Sequence, residues 1–462
     1  MSGTDLQLDR PLKDRKSDRI SRFQHHPVRP VGRGWCRPPL MSPSACTVSA
    51  MAAPALTQVA PAADARCTVR NIVTAGIEHH LSVRRLPLAD LTPHDLQAWV
   101  ALEARATEPN AYLSPHFVLP ALRHLDPGLR PVVLMVERGR GVDASLVALG
   151  VFTSVTASRL CPMPQLVGYQ SRHSYLGGLL VDRDHVREAV AAMYAYVRGG
   201  LLPWHVLVLP KLQSHGPVAS ALEAEALAAG LSVHRPGVQE RAILVPAAAG
   251  QDALRTALGK RYNEVERCKR RLAEYGEVNW RSLRQQVDEI AVENFLRLEH
   301  QGWKAEVGSS LRANPVDEAF FKDVVKGFAS DSRALFTELW VGGRAVASTS
   351  NFVSGGVGFA FKVGWEAGLR KYGPGLLNEA EFVRAAPEVC ADLAWFDSGA
   401  APDSFINRLW TERRELATLV VPLTRLGDLG LRTSASLRRT VRRLRKPNSA
   451  VEPDSAVQST ES

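Results

Sequence analysis

The chain has 462 residues, enough for two or three domains, and its hydrophobic content of 45% is that of a globular protein with a large core. Its net charge of +10 lies in the two ends, because residues 1–40 carry +5 and residues 432–446 carry +7, which leaves −2 for the body. A nearly neutral body argues against nucleic acid as the partner.

Residues 1–75 mix Arg, Pro, Ser and Ala without a hydrophobic period, which is typical of a disordered basic segment. The alternative is an over-long start, with Met41 or Met51 as the first residue of the protein. A signal peptide beginning at Met41 is disfavoured, because no basic stretch would precede its apolar part.

Residues 76–246 alternate strand and helix patterns, which predicts a first α/β domain. The predicted strands are Val83–Leu88, Arg130–Glu137, Ala144–Phe152, Tyr175–Val181, Trp204–Leu209 and Arg241–Val245. The predicted helices are Asp95–Ala106, Ser114–Leu122, His185–Val197 and Val218–Ala229.

Residues 247–431 predict a second domain of the same class. Its predicted helices are Asp252–Gly276, Asp288–Gln301, Pro315–Ser330 and Phe405–Leu416. Its predicted strands are Val278–Leu283, Ala334–Val341, Ala345–Val353, Gly356–Val363, Leu393–Asp397 and Leu419–Leu423. The first helix interleaves six basic residues with glutamates, which fits a solvated, salt-bridged surface, and contact with an anionic ligand is the alternative.

The last segment, residues 432–462, is predicted to be a basic and then polar disordered tail. Within it, Leu437, Val441 and Leu444 share one helical face, with arginines around them. A solvated basic end is one interpretation. The other is peripheral contact with an anionic membrane surface or with nucleic acid.

The stretch Arg370-Lys371-Tyr372-Gly373-Pro374-Gly375 lies between a predicted strand and an apolar run with helical spacing, Leu376–Val383. Two known phosphate loops do not fit, because the third glycine of the Rossmann fingerprint and the G-K-[ST] of the P-loop are missing. Glycines at a helix N-terminus let a phosphate approach unpaired N–H groups. The stretch therefore predicts a phosphate or pyrophosphate site, with an ordinary Gly-Pro-Gly turn as the alternative.

The pattern R-x-x-G-x-G between a strand and a helix resembles the coenzyme A pyrophosphate loop of the GNAT acyltransferases, and the order of elements in 278–423 resembles their fold. The details resemble the CelD-like (cellulose-biosynthesis-associated) acetyltransferases. The matching pieces are Leu298-Glu299-x-x-Gly302-Trp303-Lys304, Gly308-Ser309-Ser310-Leu311, Pro374-Gly375-x-Leu377 and Ile406-Asn407-Arg408-Leu409-Trp410. Over roughly residues 80–425 the resemblance implies a mixed α/β fold of tandem GNAT-like domains, the first without its own loop, as in FemAB-type transferases.

The resemblance implies acetyl-CoA or another acyl-CoA as co-substrate and a small-molecule or glycan amine as acceptor, in polysaccharide or cell-envelope metabolism. The implied cofactor-binding residues are Arg370, Tyr372, Gly373, Pro374, Gly375, Leu376, Val363 and Asn407. A backbone N–H near Phe361 to Val363 would face the thioester carbonyl, and Tyr372 is a candidate proton donor to the leaving thiolate.

Glu299 and Glu338 are the candidate general bases, because a carboxylate in an apolar cleft has a raised pKa and can accept a proton. For each, a paired or solvent-facing carboxylate is the alternative. Trp303 and Lys304 are candidates for the acceptor pocket, with core packing and a surface charge as their alternatives.

Six cysteines without a C-x-x-C pair suggest neither a zinc site nor a disulfide framework, so we expect no metal and a reducing cytoplasm. Cys268 and Cys390 have no neighbouring His, which disfavours a covalent thioester route. No apolar run reaches the roughly 18 residues of a membrane span.

We therefore predict an acyl-CoA-dependent N-acyltransferase. Two alternatives stay open. One is a FemAB-like transferase that uses aminoacyl-tRNA, which would need a basic groove on the body. The other is a non-catalytic GNAT-like protein that binds a metabolite or a partner.

Overall fold

The computed structural model describes residues 66–67, 72–74, 77–141, 144–156, 163–199, 204–284, 287–301, 306 and 308–444. Within this part the chain forms two compact units. The C-terminal unit holds residues 116–127 and 239–415, and the N-terminal unit holds the described residues of 64–115, 128–238 and 416–462. Each unit is thus assembled from separate segments of the chain, whereas the sequence predicts continuous domains.

The strands are β1 (Arg66–Cys67), β2 (Ile72–Thr74), β3 (Ile77–His79), β4 (Leu81–Pro87), β5 (Val132–Arg138), β6 (Ser145–Val155), β7 (Gln165–Gly168), β8 (Leu180–Val181), β9 (Val206–Gln213), β10 (Gln239–Leu244), β11 (Val278–Leu283), β12 (Ala334–Val341), β13 (Arg344–Ser354), β14 (Val357–Trp365), β15 (Phe396–Asp397) and β16 (Glu412–Pro422). The helices are α1 (Pro93–Arg105), α2 (Pro115–Pro120), α3 (Val186–Arg198), α4 (Pro217–Ala228), α5 (Gln251–Leu258), α6 (Tyr262–Leu272), α7 (Glu289–Glu299), α8 (Pro315–Ser330), α9 (Pro374–Val389) and α10 (Arg425–Leu444).

The N-terminal unit is built on a sheet of order β1-β4-β5-β6-β7-β9-β16, with β8 also pairing with β6. Its pairs are antiparallel except β7 and β9, which run parallel because α3 lies between them in the chain. Helices α3 and α4 bury their apolar faces in the same core as the inner faces of these strands.

The C-terminal unit is built on a sheet of order β10-β15-β14-β13-β12-β11. Again one pair is parallel, β14 and β15, and α9 connects those two strands in the chain. Alternate residues of β12 and β13 face α9 on one side and the aromatic side chains of α7 and α8 on the other. The predicted mixed α/β class, with mostly antiparallel sheets flanked by helices, is confirmed.

Most predicted elements are present with nearly the predicted bounds, but the predicted helix Phe405–Leu416 is wrong. A 3-10 turn at Phe405–Arg408 is followed by β16, which pairs with β9 from Leu416 to Pro422. The Glu-Arg-Arg-Glu start of β16 favours a helix locally, but the strand contacts made by the apolar residues after it override that preference.

Smaller corrections follow from backbone geometry. The predicted helix Asp252–Gly276 is broken at Gly259, whose φ of 52° ends α5 before α6 begins. The predicted strands Tyr175–Val181 and Leu393–Asp397 are reduced to the two-residue strands β8 and β15.

The basic tail, expected to be disordered, is helical to residue 444, while residues 1–65 and 445–462 lie outside the described part. In the described part, no helix is long and apolar enough to cross a membrane.

Candidate functional site

The glycine stretch enters α9 through a short helical turn rather than directly from the strand. A 3-10 helix spans Ala367–Tyr372, and Gly373 follows it with φ 59° and ψ 51°. This left-handed conformation is easy for glycine and strained for residues with a Cβ. Gly373 therefore makes the sharp change of direction that starts α9.

The N-terminus of α9 is suited to an anion. Gly373 is its N-cap residue, Pro374 its first residue, and no side chain of the described part caps it. The N–H of Leu377 bonds to the carbonyl of Gly373 at 2.9 Å, so the first N–H groups of the helix, those of Gly375 and Leu376, point beyond its end. These groups and the helix dipole favour a negative charge at this position.

Gly375 has a packing role as well. A Cβ built at Gly375 would lie 3.0 Å from Cδ1 of Trp365, the last residue of β14. The absence of a side chain lets the start of α9 lie against the end of that strand. The glycine loop and β14 are thereby brought into one site.

Strand β14 separates from its parallel neighbour early. It pairs with β15 only at Gly358 with Phe396 and at Phe359 with Asp397, yet it continues to Trp365. The described part of β14 after Phe359 thus has no β15 partner. The two strands thus separate beside the glycine loop, in the segment where the sequence predicts an N–H that faces a thioester carbonyl.

A β-bulge lies in this segment of β14. Asn351 of β13 pairs with Ala360, but Ser350 pairs with Lys362, so Phe361 is an extra residue in β14. A bulge redirects the backbone N–H and C=O groups around it, and bulges are frequent next to active sites. The position agrees with the predicted contact of Phe361 to Val363 with a thioester carbonyl, which stays a prediction.

Aromatic packing holds the bulge in place. The Phe361 ring stacks on Phe321 of α8, with centroids 5.9 Å apart and ring planes 8° apart. It also contacts Phe352 at 5.5 Å and Phe117 of α2 at 6.2 Å. Because these rings are buried, the bulge is a fixed feature of the core.

A buried polar network, not foreseen from the sequence, attaches α9 to the sheet. The Asn378 side-chain amide donates to the hydroxyls of Thr337 and Thr349 at 3.0 and 3.1 Å, and its carbonyl accepts from Nε1 of Trp280 at 3.1 Å. Thr349 donates to Glu379 at 2.6 Å. Burial raises the pKa of Glu379 to about 7, although the Thr349 hydrogen bond opposes this shift. The sequence signal was two adjacent polar residues in an otherwise apolar helix face.

Both candidate general bases are fully buried and held by donors. Glu299 accepts from the backbone N–H of Leu311 at 2.8 Å and faces Nζ of Lys362 at 3.4 Å. Glu338 accepts from Nε of Arg281 at 2.7 Å and from Nε1 of Trp340 at 2.9 Å. The structure thus shows the paired alternative, and either carboxylate would have to give up a contact to accept a proton.

Among the predicted cofactor residues, Arg370 is exposed beside the loop and Val363 pairs with Thr349 on the bulged strand. Tyr372, the candidate proton donor, is buried, and its hydroxyl bonds to that of Tyr275 at 3.0 Å. This hydrogen bond raises the pKa of Tyr275. The predicted acceptor-pocket residues Trp303 and Lys304 lie outside the described residues.

Asn407, an implied cofactor-binding residue, belongs to the predicted helix Phe405–Leu416. It lies instead on the short 3-10 turn, and its side-chain amide donates to the carbonyls of Ala401 and Pro402 at 3.0 and 2.7 Å. Both amide hydrogens therefore hold the loop that follows β15. Only its side-chain oxygen is left for a ligand.

Asp397, a site residue not foreseen from the sequence, lies at the end of β15 where the two strands separate. It is buried with two guanidinium groups, Arg241 at 3.3 Å and Arg414 at 3.2 Å, and accepts from the N–H of Gly399 at 2.7 Å. These ion pairs fix the backbone at the separation point. The three side chains are far apart in the sequence, so no local pattern could have joined them.

The buried thiols give no sign of a nucleophile. Burial raises the pKa of Cys268, and it raises that of Cys390 to about 12. A thiol is reactive as the thiolate, so both groups are inert at neutral pH. Within the described ranges, no group of His, Cys, Asp and Glu side chains has the arrangement of a metal site.

Comparison with known proteins identifies the C-terminal unit. Residues 259–406 match the family model described as "Acetyltransferase (GNAT) domain". Similar solved structures include FemX, with 10% identity, a TM-score of 0.48 and coverage of 72% of this chain and 96% of that one. None of the curated proteins matches the chain in sequence.

Two further solved structures have comparable coverage. L-PGS from Bacillus licheniformis has 13% identity and a TM-score of 0.42, over 74% of this chain and 96% of that one. A tandem GNAT protein from the clavulanic acid biosynthesis pathway has 15% identity and a TM-score of 0.38, over 74% and 99%. The glycine loop, the bulged strand and its separation from β15 all lie within the residues 259–406 that match the GNAT acetyltransferase model.

Proposed function

We propose that the protein is an acyl-CoA-dependent N-acyltransferase of the CelD-like branch, which moves an acyl group from a coenzyme A thioester to an amine. The observation that carries the proposal is the uncapped N-terminus of α9 beside the bulged, separated strand β14. An amine on a small molecule or a glycan of the cell envelope is the acceptor in this proposal.

In this proposal the pyrophosphate binds to the backbone N–H groups that follow Gly373, with Arg370 beside them. The segment of β14 after Phe359, where β14 and β15 are no longer paired, would hold the thioester arm. When bound, the cofactor supplies an activated acyl carbonyl. A loop whose glycines admit a close approach of the backbone fits such a group.

The bulged segment would stabilise the negative charge that develops on the carbonyl oxygen. A backbone N–H near Phe361 to Val363 is fixed by the aromatic core, so it needs little reorganisation when that charge forms. Transfer also needs a neutral amine. Glu299 is the base in this proposal, and release from Lys362 would free it to accept the amine proton.

The test is a calorimetric titration of acetyl-CoA and of a long-chain acyl-CoA into the full chain. We expect micromolar binding, and we expect Gly375→Glu to weaken it about a hundredfold, because a carboxylate would then occupy the anion site and press on Trp365. Absence of binding of either thioester to the unaltered chain would overturn the proposal.

Two variants control this experiment. Gly128→Glu introduces the same change where a Cβ meets nothing within 4 Å, and should bind like the unaltered chain. Arg370→Glu reverses an exposed charge beside the loop without a change in packing, and should weaken binding about tenfold. Normal binding by both Gly375→Glu and Arg370→Glu would place the cofactor elsewhere.

A second candidate is transfer from aminoacyl-tRNA, which a specific feature of the C-terminal unit favours. Helix α6 and the residue before it expose four arginines, and the 3-10 turn that follows α6 contacts the glycine loop through the hydroxyls of Tyr275 and Tyr372. The exposed residues are Arg261, Arg267, Arg270 and Arg271. This candidate predicts tRNA binding that falls steeply with salt and is weakened by Arg270→Glu with Arg271→Glu.

A further inference from the structure

The C-terminal helix α10 has one face on the N-terminal unit and a second face that its own unit leaves exposed. Leu431 is buried against Val206 and Val420. Asp428 is also buried, and it accepts from the N–H of Ser232 at 3.2 Å. These contacts fix which way the first turns of the helix face.

The opposite face is apolar. Leu426 and Leu429 are 65% and 59% exposed. Each lies two residues before a buried residue, Asp428 or Leu431, and a step of two residues turns about 200° around a helix. The exposed leucines therefore lie on the far side from the unit's core.

The sequence continues this apolar row along the helix. From Leu429, steps of three and four residues lead through Thr433 to the positions of Leu437, Val441 and Leu444, all within α10. The row is about 120° wide. The exposed pair Leu426 and Leu429 begins this row of positions, and an apolar row of this length along a basic helix is typical of a helix that binds a partner surface.

The charge of the same segment indicates which partner. Residues 432–446 contain seven Arg and Lys and no acidic residue, in a chain whose body is nearly neutral. At helical spacing the arginines fall outside the apolar row. A nucleic acid would neutralise the arginines but would give the leucines nothing apolar to bury in, whereas an anionic lipid surface accepts both.

We propose that α10 is a membrane-surface anchor, which lies in the interface of an anionic bilayer with Leu426, Leu429 and the apolar row that continues them inserted among the acyl chains. The arginines beside the row then contact lipid phosphates. The anchor would keep the catalytic unit at the membrane surface, but it does not depend on the reaction proposed above.

The test is flotation of the full chain with vesicles of phosphatidylcholine alone or mixed with phosphatidylglycerol. We expect binding to the mixed vesicles, at least about tenfold weaker binding to phosphatidylcholine, and a loss of about tenfold or more in Leu426→Glu with Leu429→Glu. Both leucines are exposed, so the variant should keep its thermal unfolding midpoint.

The matched control is Leu227→Glu on α4, a leucine that is 61% exposed in the same unit and outside the proposed anchor. It should bind like the unaltered chain. Absence of binding to the anionic vesicles would overturn the proposal. So would equal binding by the double variant, and so would tight binding to a DNA or RNA oligonucleotide that the leucine substitutions leave unchanged.

Discussion

The two units repeat one sheet pattern and differ at the place where the site is built. In both, a parallel pair, β7 with β9 or β14 with β15, stands between antiparallel pairs, and a helix, α3 or α9, connects the parallel strands. At the start of α9 the chain has Gly-Pro-Gly and no acidic residue in the first turn. At the start of α3 it has Asp182 and Asp184, with Glu188 in the first turn.

The strands that come before these two helices also differ between the units. The pairing of β6 with β7 is regular, whereas that of β13 with β14 contains the bulge at Phe361. At the start of α3, Asp182 and Glu188 contact Arg105 and His185, and the described pairing of β6 with β7 contains no bulge that would redirect an N–H. The sheet pattern is therefore common to both units, and the candidate site depends on local differences from it.

Helix α4 of the N-terminal unit has a similar start, but a side chain of the protein occupies the anion position there. It begins with Gly216 and Pro217, as α9 begins with Gly373 and Pro374, and its N-cap residue also lacks a capping side chain of its own. Here, however, Oε1 of Glu108 accepts from the N–H of Val218 at 3.0 Å. The protein's own carboxylate thus lies where a bound anion would be expected.

The prediction with the largest effect concerns the side chains that α3 and α9 bury. The buried side chains of α3 are apolar apart from Tyr194. Helix α9 buries Glu379, whose pKa is raised to about 7 from an ordinary value near 4.5. A raised pKa means that the folded state holds the proton more tightly. The stabilisation is present in full below pH 4.5, is lost as the pH rises to 7, and amounts to about 3 kcal/mol.

Glu379→Gln should remove this loss, so that the variant is about 3 kcal/mol more stable relative to the unaltered chain at pH 8 than at pH 4. Denaturant unfolding of the C-terminal unit at several pH values measures it. Glu388→Gln, an exposed glutamate on the same helix, is the control and should show no such trend. Parallel pH profiles for Glu379→Gln and the unaltered chain would contradict the interpretation.

The second prediction concerns the start of α4, where Glu108 occupies the anion position. Glu108→Ala should destabilise the N-terminal unit by about 1.5 kcal/mol, because the N–H of Val218 loses a charged acceptor at the positive end of α4. Thermal unfolding measures this. Glu108→Gln keeps an oxygen acceptor and should recover most of the stability, whereas equal losses in both variants would show that charge alone matters.

The smallest effect concerns the left-handed backbone at the start of α9. Gly373→Ala should cost about 1 kcal/mol, since Gly373 has a φ of 59° and a Cβ there meets only Leu376 at 3.8 Å. Gly128→Ala, where φ is not left-handed and the space is open, should be neutral or slightly stabilising. Differential scanning calorimetry on the two variants measures the difference. If Gly373→Ala were equally neutral, the left-handed turn would not be required.

Local sequence pattern predicted most of the helices and strands of this protein. The bounds of α8 and β12 agree with the prediction, and the glycine loop was located before a helix start. Such features depend on periodicity and on Gly and Pro conformations, which act between residues close in the chain. The predicted strand Gly356–Val363 before the glycine loop is also present, as β14.

The α/β class, most helices and strands and the position of the glycine loop follow from local sequence pattern. Three features depend on the folded chain: residues 116–127 join the C-terminal unit, residues 412–422 form a strand, and Phe361 is bulged. The tertiary structure also decided that both candidate bases are paired and that Asp397 lies between two arginines. These outcomes depend on contacts between residues tens to hundreds of positions apart, whose energies exceed local preferences and leave no trace in local sequence pattern.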